Sequence, residues 1–414
     1  MIQITNSSDC CGCSSCVQVC PKQCISFDED EKGFCYPIVN MESCIDCGLC
    51  EMVCPCLNSS ESIFPREVYA VKNPDENGRK ESSSGGVFTM LAEAIIDQGG
   101  VVFGAKFNEK WEVVHDYTET KDGLKAFRGS KYVQSLIRDT YIKTRDFLKV
   151  GRKVLFSGTP CQVAGLRKFL RKEYDNLITV DFICHGVPSP GIFRWYLQEE
   201  INNYIIQNTS NRSEYIPIHS IPKESIKLPK SLSIMAVRFR DKQEGWKKFG
   251  FTIDLILSSN RGEQKYDTIS SNLIENVFLK GFIADLYLRP SCHKCPSRNY
   301  KSGSDITVSD FWGQEYMFPD FDNDTGVSAV IIKTEKGESL YSSLKWPIQE
   351  KKSIDQVISY NKSLLFSKPE TYRCKKFWSL PLVYTFSDRV NKSVNLTIAE
   401  KIYSKITSLL LKYK

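Results

Sequence analysis

The stretch CCGCSSCVQVCP at residues 10–21 returns as CIDCGLCEMVCP at residues 44–55. Each copy spaces four cysteines as C-x2-C-x2-C-x3-C and places a proline directly after the last of them. The chain of 414 residues has 17 cysteines, and 12 of them lie within the first 56 residues. A secreted disulfide scaffold is usually short and rich in cysteine throughout. Here the dense segment opens a long chain that is poor in cysteine, which indicates reduced thiolates that bind metal.

Composition sets the frame around this segment. Hydrophobic residues make up 41% of the chain and charged residues 25%, which is typical of a globular protein with two or three domains. The net charge of +6 is modest for this length and gives no reason to expect nucleic acid as a partner. No apolar run approaches the roughly 18 residues that cross a bilayer. The opening residues MIQITNSSDCC lack the pattern of a secretory signal, so we expect a cytoplasmic protein.

The repeated motif is the signature of a bacterial ferredoxin with two 4Fe-4S clusters. Two-residue gaps let one tight loop direct three thiolates at three corners of a cubane, and the fourth cysteine reaches the other cluster. The predicted ligand sets are Cys10, Cys13, Cys16 with Cys54, and Cys44, Cys47, Cys50 with Cys20.

A pair of zinc knuckles is the alternative for this segment. Zinc normally takes four ligands from well-separated pairs, which the doubled motif suits poorly. Four cysteines of the segment fall outside the repeat, and we interpret them as small buried hydrophobes that shield the clusters. They are Cys11, Cys24, Cys35 and Cys56.

A serine–glycine stretch follows the polar link at residues 57–65. Ser82, Ser83, Ser84, Gly85 and Gly86 precede an apolar pattern of helical spacing, and a strand is predicted at residues 101–107. At a helix start, free backbone N–H groups and the helix dipole favour an anion, and glycine allows close approach. The stretch is therefore a candidate cradle for the phosphates of a nucleotide or flavin. A helix cap with a glycine turn explains the same residues.

A strand–helix–strand unit is predicted in the middle of the chain. KVLFS at residues 153–157 is a buried strand, Thr159 and Pro160 start a helix, and LITVDFIC at residues 177–184 is the next strand. Such strands are parallel, and their carboxyl ends share one edge, where α/β folds bind ligands. Two cysteines reach this edge, and with the later CxxC pair in PSCHKCPSR they make four candidate ligands for one more 4Fe-4S cluster or an all-thiolate zinc site. They are Cys161, Cys184, Cys292 and Cys295.

Seven motifs between residues 82 and 313 together resemble the beta subunit family of coenzyme F₄₂₀ hydrogenases and dehydrogenases. They are SSSGGVF, RGSKYVQS, FSGTPCQVAGL, DFICHGVPSP, FRDK with a following GW, CHKCP and DITVSDFWG. The resemblance implies an iron-sulfur flavoprotein that binds FAD, with iron rather than zinc at the four later cysteines. It also implies flavin-phosphate contacts from Ser83, Ser84, Gly85, Gly86 and Thr159, with Lys131 as a cation for the phosphate or the flavin. Related reductases act on other conjugated rings, so the family does not fix the substrate.

The resulting expectation is an α+β protein, with a small bacterial-ferredoxin-like domain followed by a mixed α/β flavin and iron-sulfur domain. The expected divisions are residues 1–60, 66–150, 151–335 and a helical extension at 336–414. Electrons from a redox partner would pass through the clusters to FAD, which exchanges a hydride with a deazaflavin-like or other conjugated ring. The alternative is a non-enzymatic electron-transfer subunit of a larger complex.

Several further residues carry open interpretations. His185 and His293 flank proposed ligands and are either donors to the metal site or ordinary polar neighbours. Asp310 is either a proton donor or flavin contact, or a structural cap, and Cys374 is structural. Apolar residues at helical spacing from residue 398 onward predict a basic amphipathic helix that docks on the core, on an acidic partner or on a membrane surface.

Overall fold

The structure is a computed structural model that describes residues 1–208, 218, 220–258, 263–321, 324–381 and 383–412. Side chains of the last helix are described up to residue 405. Among the described residues, no helix combines the length and the apolar character needed to cross a membrane.

The cysteine-rich segment folds into a module of one hairpin and two short helices. These are α1 (Ser15–Val19), β1 (Ile25–Glu29), β2 (Cys35–Val39) and α2 (Leu49–Met52), with β1 and β2 antiparallel. The loop before each helix turns through a left-handed residue, with φ +70° at Gly12 and +72° at Gly48. Glycine adopts this conformation at little steric cost, so both motifs bend tightly enough to aim several thiols inward. The bacterial-ferredoxin-like domain is confirmed as part of the fold.

The rest of the chain is built on one large sheet and one small one. The strands are β3 (Glu67–Val71), β4 (Val101–Phe107), β5 (Val113–Thr118), β6 (Val154–Ser157), β7 (Leu177–Phe182), β8 (Leu232–Asp241), β9 (Gly250–Ser258), β10 (Gln264–Asn272), β11 (Ile306–Asp310), β12 (Ser328–Ile332) and β13 (Gln349–Lys351). Eight of them form the sheet β13-β3-β12-β11-β7-β6-β4-β5, and β10-β9-β8 is a separate antiparallel sheet.

Helices cover and connect these sheets. They are α3 (Glu76–Glu81), α4 (Val87–Asp97), α5 (Thr140–Lys149), α6 (Pro160–Leu170), α7 (Pro190–Asn208), α8 (Val277–Ile283), α9 (Gln314–Met317), α10 (Glu335–Ser342), α11 (Ile354–Tyr360), α12 (Tyr372–Ser379), α13 (Phe386–Val394) and α14 (Ile398–Lys412). The mixed α/β fold class is confirmed.

Four neighbouring strands of the large sheet run parallel. β4 pairs with β6, β6 with β7 and β7 with β11, so their carboxyl ends lie on one edge. The predicted unit from β6 through α6 to β7 is present, and its helix begins as the sequence indicates. Thr159 accepts from the backbone of Gln162 in a capping box, and Pro160 is the first helical residue. This edge is where the site lies.

The expected divisions after residue 66 do not separate into independent sheets. The large sheet takes β3 to β5 from residues 66–150, β6, β7, β11 and β12 from residues 151–335, and β13 from the extension. The extension is therefore not wholly helical, because Gln349–Lys351 extends the sheet beside β3. In α14, Ile398 and Ile402 are exposed rather than docked, and the later apolar positions of that helix lie outside the described side chains.

Candidate metal centres and cofactor cavity

The two cysteine motifs of the amino-terminal module assemble in crossed sets. Each set surrounds a small cavity and takes three cysteines from one motif and the fourth from the other. The sets are Cys10, Cys13, Cys16 with Cys54, and Cys44, Cys47, Cys50 with Cys20. We name the first the inner set and the second the outer set. Cys24 also lines the cavity of the outer set, and Cys11 and Cys56 also line that of the inner set, so the crossed ligation stays a prediction.

Backbone amides already point at the sulfur atoms of both sets. The N–H of Gly12 lies 3.4 Å from Cys10 Sγ, and the N–H of Asp46 lies 3.4 Å from Cys44 Sγ. Hydrogen bonds of this kind stabilise the thiolate form that iron binds and help to set the potential of a cluster. The loops therefore supply donors to the sulfur atoms as well as the thiols themselves.

The two sets differ in their access to solvent. Cys47 of the outer set is exposed, whereas Cys10 and Cys13 of the inner set are buried. Burial raises the pKa of the Cys16 thiol, so this group is neutral at neutral pH until a metal displaces its proton. The outer set is thus the one that a redox partner can approach.

The four later cysteines also lie close together, as the shared edge of the sheet predicts for Cys161 and Cys184. Cys161 lies in the first turn of α6, Cys184 follows β7, and Cys292 and Cys295 lie at a 3₁₀ turn. Burial is the largest cause that raises the pKa of Cys184, and the thiols of the other three cysteines raise it further. These three thiols therefore lie near Cys184. Burial likewise raises the pKa of Cys292 to about 11. We name these four the third set.

The geometry of the third set bears on the choice between zinc and a cluster. Within the described ranges, no three histidine, cysteine, aspartate or glutamate side chains form a group that could hold a metal ion. A single zinc ion needs all four sulfur atoms within about 2.3 Å of one point, whereas a cubane spreads its thiolates over separate irons. The thiols of the inner and outer sets, all of them among the described residues, are not grouped in this way either, so the spacing of the sulfur atoms leaves both metals open at the third set.

The inner set adjoins the third set at two places: at Cys11, which belongs to neither set, and at a close contact with helix α6. Contacts with the thiols of Cys13 and Cys161 raise the pKa of the Cys11 thiol. Gly165 of α6 lies so close to the module that a Cβ on it would be 3.0 Å from Cys13 Sγ. Ser15 fixes this contact by donating its hydroxyl to the Gly165 carbonyl at 2.9 Å. The arrangement orders the sets as outer, inner and third.

A cavity of about 1020 Å³ opens at the same edge of the large sheet. The serine–glycine loop and Cys184 of the third set both line it. Apolar rings line it, among them Phe249, Phe282 and Trp312. Ligand pockets commonly measure about 300 to 1,000 Å³, so this space is at the upper end of that range.

The serine–glycine loop leads directly into α4 at the wall of the cavity. Gly86 is the cap residue with φ +81°, and no side chain in the described chain caps the helix there. A Cβ on Gly85 would lie 2.5 Å from the Val71 carbonyl oxygen, so the loop needs glycine at this position. The serine hydroxyls hold the loop instead: Ser83 accepts from the backbone of Ser130, and Ser84 donates to the Val327 carbonyl. The uncapped N–H groups of α4 are what the loop offers to an anion.

Two other predicted contact residues line the cavity with their polar groups already engaged. The Thr159 hydroxyl caps α6 and lies 3.2 Å from Cys161 Sγ. The Lys131 ammonium donates to the carbonyls of Ala126, Arg128 and Gly129, and burial lowers the pKa of Lys131 to about 7. Thr159 and Lys131 therefore shape the wall, and any contact with a ligand is additional to these bonds.

A buried ion pair forms another part of the wall. Arg240 pairs with Asp310, which also accepts from Trp246 Nε1 at 3.1 Å. Two nitrogens of the Arg240 guanidinium, Nε and Nη2, are buried and make no hydrogen bond to the described residues, while the guanidinium lies over the rings of Phe249 and Trp312. The structural interpretation of Asp310 fits these contacts, because its carboxylate is committed to a cation and an indole. Arg240 lies in the quoted FRDK motif, but nothing in the sequence marks it as a residue of the cavity wall.

His115 also lines the cavity and was missed from the sequence. Its ring lies between Ser135 Oγ and the Ser157 carbonyl, each 2.9 Å away, and stacks on Phe156. Burial lowers the pKa of His115 to about 4, so the ring is neutral at neutral pH. No element is predicted at β5 from the sequence, and a lone histidine there gives no sequence signal for this position.

The two histidines beside proposed ligands contact other groups. His185 Nε2 lies 2.5 Å from Asp285 Oδ1, and His293 Nδ1 lies 2.9 Å from the Lys368 carbonyl. Neither contact is with a thiol. The interpretation as polar neighbours therefore fits both residues.

Comparisons with known proteins give two matches along the sequence. Residues 151–353 match the family described as the C terminus of the beta subunit of coenzyme F420 hydrogenase/dehydrogenase. Residues 9–58 match the 4Fe-4S dicluster domain. No curated protein sequence matches the chain. Among solved structures, a chain of the F420-reducing [NiFe] hydrogenase complex from Methanosarcina barkeri is similar, with 16% sequence identity and a TM-score of 0.41. The similarity covers 74% of this chain and 90% of that one.

The fold and the sequence matches define the class as an iron-sulfur electron-transfer protein. Residues 151–353 are similar to the C terminus of the coenzyme F420 hydrogenase/dehydrogenase beta subunit, and the amino-terminal module carries the match to the 4Fe-4S dicluster domain. The resemblance predicted from the sequence is confirmed.

Proposed function

We propose that this chain is an iron-sulfur flavoprotein oxidoreductase. Electrons from a redox partner enter at the outer set, pass through the inner and third sets, and reach FAD in the large cavity. One observation carries the proposal: a single cavity is lined both by the serine–glycine helix start and by Cys184 of the third set. A flavin in this cavity would be separated from the last cluster only by the cavity wall, and there would be space beside it for a second ring.

The cavity fits an anionic, ring-bearing cofactor. The uncapped start of α4 and the two Arg240 nitrogens that make no hydrogen bond to the described residues supply donors to negative charge. The rings of Phe249, Phe282 and Trp312 supply apolar surface for an isoalloxazine or a ring substrate. When bound, FAD supplies the conversion between single electrons and a hydride, which iron-sulfur clusters cannot make.

The protein's own residues would bind and orient rather than react. The α4 N-terminus holds phosphate, and Ser83 and Ser84 keep that loop closed against Ser130 and Val327. The neutral His115 and its serine partners line the wall without adding charge. The family relation supports oxidoreductase chemistry on a conjugated ring, and a deazaflavin-like substrate is one member of that class.

The experiment compares FAD binding in two variants of one loop residue. Ser83→Asp keeps an acceptor for the Ser130 N–H but places a negative charge beside the proposed phosphate site, whereas Ser83→Asn is its uncharged match. We expect FAD affinity, measured by flavin fluorescence quenching, to fall at least tenfold in the aspartate variant relative to the asparagine variant. Equal affinities would contradict this position for the phosphates.

A second measurement distinguishes an oxidoreductase from a non-enzymatic electron-transfer subunit. Holoprotein that is reconstituted anaerobically with iron, sulfide and FAD is reduced with dithionite and mixed with conjugated ring acceptors. Oxidation of the protein by an acceptor, with loss of the acceptor's absorbance, is the expected result. Protein that binds no FAD and reduces no ring compound, yet exchanges electrons with a small redox protein, would establish the electron-transfer role instead.

A further inference from the structure

Arg289 lies between the inner and third sets and is almost fully buried, with 1% of its surface exposed. It immediately precedes the 3₁₀ turn that carries Cys292. Its guanidinium donates to the Cys10 carbonyl at 2.7 Å and to the Cys35 carbonyl at 2.9 Å. It also lies 3.5 Å from Cys10 Sγ through Nη2. One cation therefore reaches a ligand of the inner set while it is attached to the turn of the third.

The charge of Arg289 has no carboxylate partner among the described residues. Its remaining hydrogen bond goes to the neutral Gln134 side chain at 2.9 Å, and its guanidinium stacks 4.4 Å from the Tyr36 ring centre. Burying an unpaired cation is costly unless a negative group offsets it. Burial lowers the pKa of the Arg289 guanidinium, whereas the nearby thiols of Cys10, Cys11 and Cys292 raise it. Thiolates that bind iron would supply the missing negative charge.

The outer set has a different electrostatic environment. The amino terminus of Met1 lines its cavity, but that cation pairs with Asp46 at 3.2 Å and with Glu51 at 3.0 Å. A paired cation contributes little net positive potential, and the other cation that lines this cavity, Lys22, is exposed and screened by solvent. The inner set therefore faces an unpaired buried charge that the outer set lacks.

We propose that Arg289 is a positioning residue that raises the reduction potential of the inner cluster, and with it that of the third. This rests on the proposed relay, in which one electron leaves the reduced outer cluster and enters the oxidised inner cluster. The guanidinium stays protonated throughout, so no proton needs to move with the electron. A fixed positive charge lowers the energy of the added electron and makes transfer inward favourable.

The test changes this charge in two independent ways. Arg289→Gln removes it, and Gln134→Glu neutralises it with a carboxylate that keeps the hydrogen bond to the guanidinium. Arg289→Lys retains the charge and is the matched control. All three are made in the full chain, with Cys292→Ser and Cys295→Ser added so that only the inner and outer clusters contribute to the spectra.

The measurement is a redox titration followed by electron paramagnetic resonance. At a fixed potential, we expect the ratio of reduced to oxidised inner cluster to fall at least tenfold in Arg289→Gln and in Gln134→Glu, which corresponds to about 59 mV for one electron. The outer cluster should be unchanged in every variant, and Arg289→Lys should resemble its parent. An unchanged inner cluster in Gln134→Glu would overturn the proposal. Since the inner cluster belongs to the dicluster domain, this result is independent of whether the third cluster and FAD are present.

Discussion

The amino-terminal module and the sheet edge hold cysteine sets of similar chemistry that the chain assembles in opposite ways. In the module, eight thiols come from two contiguous motifs, and left-handed turns at Gly12 and Gly48 are enough to aim them. At the sheet edge, four thiols come from positions as distant as Cys161 and Cys295, and parallel strands bring them together. Local spacing specifies the first arrangement, whereas only the tertiary fold specifies the second.

The difference extends to the surroundings of the sets. The outer set presents the exposed Cys47, whereas the four cysteines of the third set are half-buried and one of them, Cys184, lines the large cavity. A relay that accepts electrons from a protein at one end and serves a bound ring at the other needs this asymmetry. Substitutions in the module and at the sheet edge can test each half of the comparison.

The largest expected effect is on the module. Cys54→Ser should remove about four irons, because a 4Fe-4S cluster loses its place when one of its four ligands is lost. Electron transfer from the outer cluster toward the cavity should cease, since the inner set lies between them. Cys56→Ser is the matched control two residues away and should keep its iron. Iron analysis and stopped-flow reduction measure both effects. Loss of iron from Cys56→Ser but not from Cys54→Ser would show that the fourth ligand is assigned wrongly.

The next effect concerns the tertiary contacts at the cavity. Asp310→Asn leaves the Arg240 guanidinium buried without its counter-charge, which should cost about 3 to 5 kcal/mol of unfolding free energy. Asp254→Asn breaks a more exposed pair with Arg238 and should cost about 1 kcal/mol or less. Denaturant unfolding measures both. Equal losses would mean that the Arg240 pair is not buried in solution.

A pH effect should follow from His115. Its folded pKa is about 4, below the usual 6.5, so the unfolded state binds more protons between these values. Stability should be complete above pH 6.5 and fall by up to about 3 kcal/mol as the pH drops toward 4. His115→Gln should remove this part of the pH dependence, because its amide does not titrate. Unfolding titrations at pH 7.5 and pH 5 make the comparison, and equal slopes in both proteins would contradict it.

The smallest effect is at the start of α6. Thr159→Ala removes the capping hydroxyl and should cost about 1 kcal/mol, whereas Thr159→Ser keeps a cap and should cost less. FAD affinity should change little in either variant, because the hydroxyl is already bonded within the protein. Thermal unfolding and fluorescence titration measure the two properties, and a large loss of FAD affinity in Thr159→Ala alone would assign the hydroxyl to the flavin.

Sequence reasoning succeeded where the physical cause is local. The motif spacing predicted the crossed cysteine sets that the structure brings together, and Thr159 with Pro160 predicted the start of α6. The parallel unit of β6 and β7 followed from strand and helix patterns. The convergence of Cys161 with Cys184 followed from that unit alone.

The missed features depend on contacts between residues far apart in sequence. Arg289 is an ordinary arginine in the sequence, and its role arises only because Cys10 and Gln134 meet it in space. His115 is equally unmarked before β5 packs beside Ser157. The short strand Gln349–Lys351 lies in the extension that was expected to be helical. It was missed because the strand depends on pairing with β3, a partner that the local sequence does not reveal.

The central claim is that the four dispersed cysteines bind a third cluster between the dicluster module and the cavity. The most direct test is the iron content of anaerobically reconstituted protein, measured together with zinc. We predict about 12 irons per chain, about 8 in a variant carrying both Cys292→Ser and Cys295→Ser, and the full 12 in the Cys374→Ser control. A double variant that keeps the iron content and electron-transfer rate of the parent would contradict the claim, as would zinc at the third set.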